Sequence, residues 1–261
     1  MRLSKRSLGW LAAVMLAPVF LGGASASAYE AHNFIEPSFG SFKDLKGLAV
    51  DQSTGNVFAV DAGIYGKPGN REVLVFGAAG GTPAGGGPSS FTGAGSTHGN
   101  WSEELGALVG GVAVDSACTQ RGLSGSECEA FDPSNGDIYV YDGGDGAVDK
   151  YRLNGANEYE YVSQGCGGGF ADRGIAVDSA GDVYAFEGAG PIEECNAAGE
   201  LIQEISIGPF GPKELEVYNS LAVTPNGTIY ALGYASGTFV VVEMKRSSPT
   251  GAVEGEPVEV P

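Results

Sequence analysis

A five-residue phrase returns four times along the chain and limits what the chain can fold into. It reads Gly47-Leu48-Ala49-Val50-Asp51, Gly111-Val112-Ala113-Val114-Asp115, Gly174-Ile175-Ala176-Val177-Asp178 and Ser220-Leu221-Ala222-Val223-Thr224. After each copy comes a glycine turn and a second apolar run: Val57-Phe58-Ala59-Val60, Ile138-Tyr139-Val140-Tyr141, Val183-Tyr184-Ala185-Phe186 and Ile229-Tyr230-Ala231-Leu232. Alternation with period two, β-branched and aromatic residues, and turns rich in Gly and Asp mark strand pairs joined by hairpins. A strand-pair unit repeated along a chain signals a propeller, in which each unit becomes a blade. The small alanine at the centre of each first strand fits a position near a crowded axis. Phe58, Tyr139, Tyr184 and Tyr230 share one register, which predicts packing between blades.

Third strands follow at Val73-Leu74-Val75-Phe76, Val148-Asp149-Lys150-Tyr151, Leu201-Ile202-Gln203-Glu204-Ile205 and Phe239-Val240-Val241-Val242. Successive phrases start 64, 63 and 46 residues apart. Two insertions account for the irregularity. One, at about residues 77–105, is rich in glycine and reads as a flexible surface loop. The other, at residues 116–132, carries Cys118 and Cys128. A third variable stretch runs over residues 187–199. The expected fold is all-β: a propeller with four recognisable units, either four- or five-bladed or part of a six-bladed disc.

Arg2, Lys5 and Arg6 precede an apolar run over residues 8–21, and Ala26-Ser27-Ala28 then fits a signal-peptidase site. Residues 1–28 therefore read as a signal peptide and residues 29–246 as the propeller. Residues 247–261 read as a Pro- and Gly-containing tail or linker, in which Val258 and Val260 alternate as at the start of a strand. The expected location is secreted or cell-surface associated, with no membrane contact after leader cleavage. The chain holds 32 acidic against 14 basic residues, a formal net charge of −18. That surface repels phosphate backbones, so nucleic acid is a poor partner. All four cysteines follow the leader, and an even count in an oxidising compartment suggests disulfides. Of three possible pairings, the expected one is Cys118–Cys128 with Cys166–Cys195.

These units resemble the NHL repeat of β-propellers. The first unit is a close match, from Gly47-Leu48-Ala49-Val50-Asp51 through Arg71-Glu72-Val73-Leu74-Val75-Phe76. The third departs at Glu187, and the fourth at Thr224 and in lacking a basic residue in its last strand. The resemblance implies an interaction platform. Some relatives are lyases or lactone hydrolases that hold a metal in the central channel. The leader-bearing form suggests a bacterial secreted protein.

Candidate chemistry is sparse. Asp51, Asp115 and Asp178 either ring one mouth of a channel or, as their recurrence in successive units favours, lock the turns that follow them. Asp142, Asp145 and Asp149 form the densest oxygen cluster and could hold calcium, although their spacing matches no helix-loop-helix calcium motif. Trp101, in the first insertion, is a candidate exposed ligand contact. His32 and His98 have no partner at ligand spacing, and no nucleophile elbow or phosphate loop is present. No catalytic residue is assigned. The expected function is a secreted, non-enzymatic binding module for an extracellular protein, peptide or glycan. The alternative is a calcium-dependent hydrolase or lyase with its site in the channel.

Overall fold

The computed structural model describes residues 41–260 except 65, 104–108, 167–173, 187–189, 207–214, 236 and 247–257. The proposed leader and most of the tail lie outside the described residues. Four antiparallel four-stranded sheets form a four-bladed β-propeller. Blade 1 comprises β1 (Leu45–Val50), β2 (Val57–Asp61), β3 (Glu72–Phe76) and β4 (Ser90–Phe91). Blade 2 comprises β5 (Val109–Val114), β6 (Ile138–Asp142), β7 (Ala147–Leu153) and β8 (Tyr159–Gly165). Blade 3 comprises β9 (Ile175–Val177), β10 (Val183–Phe186), β11 (Ile192–Cys195) and β12 (Leu201–Ile205). Blade 4 comprises β13 (Leu215–Val223), β14 (Ile229–Ala235), β15 (Thr238–Met244) and β16 (Val258–Val260).

Each repeated phrase is an innermost strand and each second run is its hairpin partner, as the alternation predicts. Two expectations need correction. The run at Leu201–Ile205 is the fourth strand of blade 3, not the third. Its third strand is Ile192–Cys195, inside the stretch read as variable. Short strands punctuated by Gly-Pro and acidic pairs carry little alternation, so β11 was not legible. The first insertion is not a bare flexible loop. It supplies β4 at Ser90–Phe91, and it buries Trp101 in the core. The second insertion folds into two short helices, α1 (Ala117–Arg121) and α2 (Gly125–Phe131), tied by Cys118–Cys128. The second disulfide, Cys166–Cys195, joins blades 2 and 3.

Alternation puts two different rows on the two sides of every blade. The row holding the central alanine and the second-strand aromatic faces the following blade. The flanking aliphatic row faces the preceding one. Thus Ala49, Phe58, Val60, Val73 and Val75 of blade 1 pack on Val112, Val114, Ile138, Val140 and Tyr151 of blade 2. Ala113, Tyr139, Tyr141 and Val148 pack on Ile175, Val177, Val183 and Ala185 of blade 3. Ala176, Tyr184, Ile192 and Ile205 pack on Leu221, Ile229, Ala231, Val242 and Met244 of blade 4. The shared register of the aromatics is therefore inter-blade packing for Phe58, Tyr139 and Tyr184. Tyr230 is only half-buried.

At the axis, a cavity of about 110 Å³ is walled by Gly47, Gly111, Gly174 and Ser220 with Lys46, Leu48, Val112, Ile175 and Leu221. The first residue of the phrase is small because neighbouring backbones meet there. A Cβ added at Gly47 would lie 3.1 Å from the Val112 nitrogen and 3.2 Å from Gly111 Cα.

Candidate functional site

The recurrent aspartates lock turns, and none of the three lines the axial cavity. Asp51 Oδ1 accepts from the Ser53 N–H at 2.8 Å and from its hydroxyl at 2.7 Å, and Oδ2 accepts from the Thr54 hydroxyl at 2.6 Å. Asp115 Oδ1 accepts from the Ala117 N–H at 3.0 Å. Asp178 Oδ1 accepts from the N–H groups of Ala180 at 2.7 Å and Asp182 at 3.1 Å. Thr224 keeps a weaker form of the device, its hydroxyl donating to the Thr228 carbonyl at 3.1 Å. Among the described residues, the axial cavity is walled by glycine backbone, aliphatic side chains, Ser220 and Lys46.

Asp142 is fully buried, and its oxygens receive N–H groups. Oδ2 accepts the indole Nε1–H of Trp101 at 3.0 Å and Oδ1 accepts the Gly144 N–H at 2.8 Å. His98 Nδ1 lies 3.0 and 3.1 Å from the two oxygens. Asp145 accepts from Gln164 Nε2 at 2.9 Å. Asp149 accepts from the Tyr151 hydroxyl at 3.1 Å through Oδ2, and its buried Oδ1 has no hydrogen-bond partner. Trp101, expected as an exposed ligand contact, is wholly buried instead. Its ring lies 6.2 Å from Phe91 and 5.7 Å from Tyr151 between centroids. Gly93 makes room for it, since a Cβ there would lie 2.3 Å from the indole. An indole with an amphipathic ring can either face solvent or pack with its N–H satisfied. The buried carboxylate of Asp142, 41 residues away, decides for the second.

Burial pushes the Asp149 carboxyl up to about 7, with the nearby Asp142 charge adding to it. Burial likewise pushes Asp115 up to about 7, and the Asp132 charge works in the same direction. Both acids ionise near their ordinary value of 3.8 when the chain unfolds. Between that pH and about 7 the folded state holds protons that the unfolded state has released, so stability falls as pH rises through this window. The urea midpoint is therefore expected to decline from pH 5 to pH 8, and Asp149→Asn to flatten the decline. A midpoint that rises across the window, or an unchanged slope in the variant, contradicts this account.

The other polar knot spans blades 3 and 4. Glu194 Oε1 lies 3.0 Å from the Tyr184 hydroxyl and 3.0 Å from Arg246 Nη2, while Oε2 accepts from Gln203 Nε2 at 2.6 Å. Arg246 Nη1 donates to the Tyr184 oxygen. The Tyr184 hydroxyl is also 3.0 Å from Asp178 Oδ2. One hydroxyl proton cannot serve two carboxylates, so one of those contacts takes its proton from the acid. Burial raises the Asp178 pKa and suits it to that part. Oxygens of Asp178, Asp182 and Glu194 lie within 4.8 Å of one another, at a spacing a metal could bridge. In that cluster the Arg246 guanidinium pairs with Glu194.

A cavity of about 270 Å³ opens between the edge of blade 1 and the outer strand of blade 2. Phe91, Thr92 and Ala94 form one wall, and Tyr151, Glu158 and Tyr159 the other. The Phe91 ring lies 4.8 Å from Tyr159 and 5.0 Å from Tyr151 between centroids. Sequence reading missed this groove, because Phe91 sat in an apparent loop and Tyr159 outside the repeat register. It also missed the role of His98, whose partner is 44 residues distant.

Structures similar to this one share the fold. A functionally unknown protein from Desulfotomaculum acetoxidans superposes with a TM-score of 0.52 at 9% identity, over 83% of this chain and 56% of that one. Hydrazine synthase of Kuenenia stuttgartiensis gives 0.51 at 11% identity, over 89% and 53%. A protein suggested by its name to be a gluconolactonase gives 0.45 at 16% identity, over 84% and 62%. At these identities the likeness is one of fold alone. The chain spans little more than half the length of the first two. No protein-family model and no curated protein matches the sequence.

Proposed function

We propose that this chain is an exported propeller of the NHL-like kind that acts as a binding module. Its ligand is an extracellular protein, peptide or glycan, taken in the groove between β4 and β8. The observation that carries the reading is the 270 Å³ cavity flanked by Phe91, Tyr151 and Tyr159, with the Glu158 carboxylate beside them. Aromatic walls give flat apolar contact at low conformational cost, and a polar group at the rim fixes orientation. Export is supported by the leader pattern and by two disulfides. Among the described residues no helix is long and apolar enough to cross a membrane. The axial cavity, where Lys46 and Ser220 join glycine backbone and aliphatic side chains and no described carboxylate or histidine lines the wall, gives less support to a hydrolase or lyase. Calcium at Asp142, Asp145 and Asp149 gains little from Asp142, whose oxygens are engaged by N–H groups.

The test is a screen of the purified protein on arrays of glycans and of extracellular peptides, followed by titration calorimetry on any hit. Tyr159→Ala, at a half-buried ring, is expected to weaken binding about 10- to 100-fold while leaving the unfolding transition near that of the parent. Binding that is indifferent to Tyr159 and to Phe91 would move the ligand site elsewhere.

A further inference from the structure

In blade 2 the second insertion leaves two buried carboxylates where blade 1 has one. Asp51 of blade 1 serves its hairpin twice. Its N–H donates to the Asn56 carbonyl at 2.9 Å and its carbonyl accepts from the Gly55 N–H at 2.8 Å, while its side chain accepts from the Ser53 N–H and hydroxyl. In blade 2 these parts are divided between the residues that flank the insertion. Asp115 keeps the backbone bonds, to the Asp137 carbonyl at 2.9 Å and from the Gly136 N–H at 2.8 Å. Asp132 takes the side-chain bonds, from the Ser134 N–H at 3.0 Å and its hydroxyl at 2.5 Å. The Ser134 oxygen also lies 3.0 Å from Asp115 Oδ2, so one hydroxyl proton stands between two carboxylates. Asp115 is fully buried, and Asp132 and Ser134 are buried with it.

Two polar atoms at this point are buried without a hydrogen-bond partner, Asp132 Oδ2 and the Tyr139 hydroxyl. Asp132 is 5% exposed and Tyr139 3%. Blade 3 shows what the tyrosine lacks. Tyr184 holds the same register there, and its hydroxyl is 3.0 Å from Asp178 Oδ2. In blade 2 the matching oxygen, Asp115 Oδ2, is taken by Ser134. Burial, and after it the charges of Asp115, Asp137 and Asp132, raises the Tyr139 pKa, as expected of a hydroxyl set among these carboxylates. The nearby basic groups are engaged by Asp137, which Lys150 Nζ and Arg152 Nε meet at 2.9 and 2.6 Å.

We propose that Asp115, Asp132, Ser134 and Tyr139 bind a calcium ion. All four offer oxygen, the donor that hard cations take, and the two carboxylates match the charge of a divalent ion. Calcium takes about six to eight ligands, so water completes the set. The ion joins Asp115 at the start of the insertion to Asp132 at its end, and so closes that loop a second time beside the Cys118–Cys128 bridge. Asp132 also abuts blade 3, since a Cβ on Gly181 would lie 3.0 Å from Oδ2. The clamp therefore stands where the insertion meets the junction of blades 2 and 3. With no cation bound, a proton takes its place between the two acids, in keeping with the Asp115 carboxyl that burial and the Asp132 charge push up to about 7.

Calorimetric titration of the chelator-treated full chain with calcium chloride tests this, together with thermal unfolding. The expected result is one ion bound at this site, with a Kd of about 10⁻⁶ to 10⁻³ M, and an unfolding midpoint that rises with calcium concentration. Asp132→Asn keeps the shape of the turn and removes one charge, and it is expected to weaken binding about 100-fold. Tyr139→Phe deletes a hydroxyl that has no hydrogen-bond partner, so it is expected to fold as the parent does and to weaken binding about 10-fold. Asp145→Asn, in the other carboxylate cluster of blade 2, is expected to leave the affinity unchanged. No calcium heat and no shift of the midpoint in the parent overturn the proposal and leave the acid pair to a shared proton. Binding that survives Asp132→Asn at full strength, or that Asp145→Asn abolishes, overturns it as well. Should Asp132→Asn fail to fold, an unchanged affinity in Tyr139→Phe has the same consequence.

Discussion

Arg246→Ala is expected to destabilise the fold by about 3–5 kcal/mol, the cost of leaving a buried carboxylate without its partner. The Arg246 and Glu194 side chains are both buried, with Nη2 and Oε2 3.0 Å apart. Glu194 sits on β11 of blade 3 and Arg246 follows β15 of blade 4, so the pair clamps two blades. Removing the guanidinium also takes a donor from the Tyr184 oxygen, which lies 3.0 Å from both Asp178 and Glu194. The double change Arg246→Met with Glu194→Leu removes both charges and is expected to recover most of the loss, because a buried ion pair adds little over apolar packing of similar volume. Urea unfolding of the three proteins measures it. An Arg246→Ala midpoint within experimental error of the parent would mean that the clamp contributes nothing.

Trp101→Ala is expected to cost a comparable amount, about 3–5 kcal/mol, for the reasons that govern any large side chain deleted from a packed interior. The ring fills the space left by Gly93 and packs on Phe91 and Tyr151. Its loss also deprives the buried Asp142 of the Nε1–H at 3.0 Å. Trp101→Phe separates the two effects. It keeps much of the packing and loses only the donor, so the expected cost is about 1–3 kcal/mol. Near-equal losses in both variants would assign the effect to the hydrogen bond and not to packing. An Ala variant as stable as the parent would show that the first insertion is not part of the core.

Much of the blade pattern is legible in residues that are close together in sequence. Gly174-Ile175-Ala176-Val177-Asp178, the turn after it and Val183-Tyr184-Ala185-Phe186 form a hairpin whose partners are set by period two and a glycine turn. The disulfide partners were legible from order along the chain. The fourth strands were legible only in part. Val258 and Val260 alternate as a strand does, and Leu201–Ile205 read as a strand one place too early in its blade. Ser90–Phe91 is two residues long, too short to show alternation, and is defined by the strand it pairs with. The candidate site was legible least of all. The groove joins Phe91 of blade 1 to Tyr151 and Tyr159 of blade 2, and nothing in the spacing of those residues announces it.

The sequence by itself determined the local units: which residues pair into hairpins, which aspartates lock the turns, and which row of each strand is apolar. It did so because strand alternation and turn chemistry act over a few residues. Tertiary structure alone decided that Trp101 is a core residue, that His98 meets Asp142, that Arg246 meets Glu194, and that Leu48 and Val50 lie open where Val112 and Val114 are covered. Those outcomes depend on which blade stands beside which. The burial of a polar or aromatic side chain is fixed by the neighbour that satisfies it, and that neighbour lies tens of residues away.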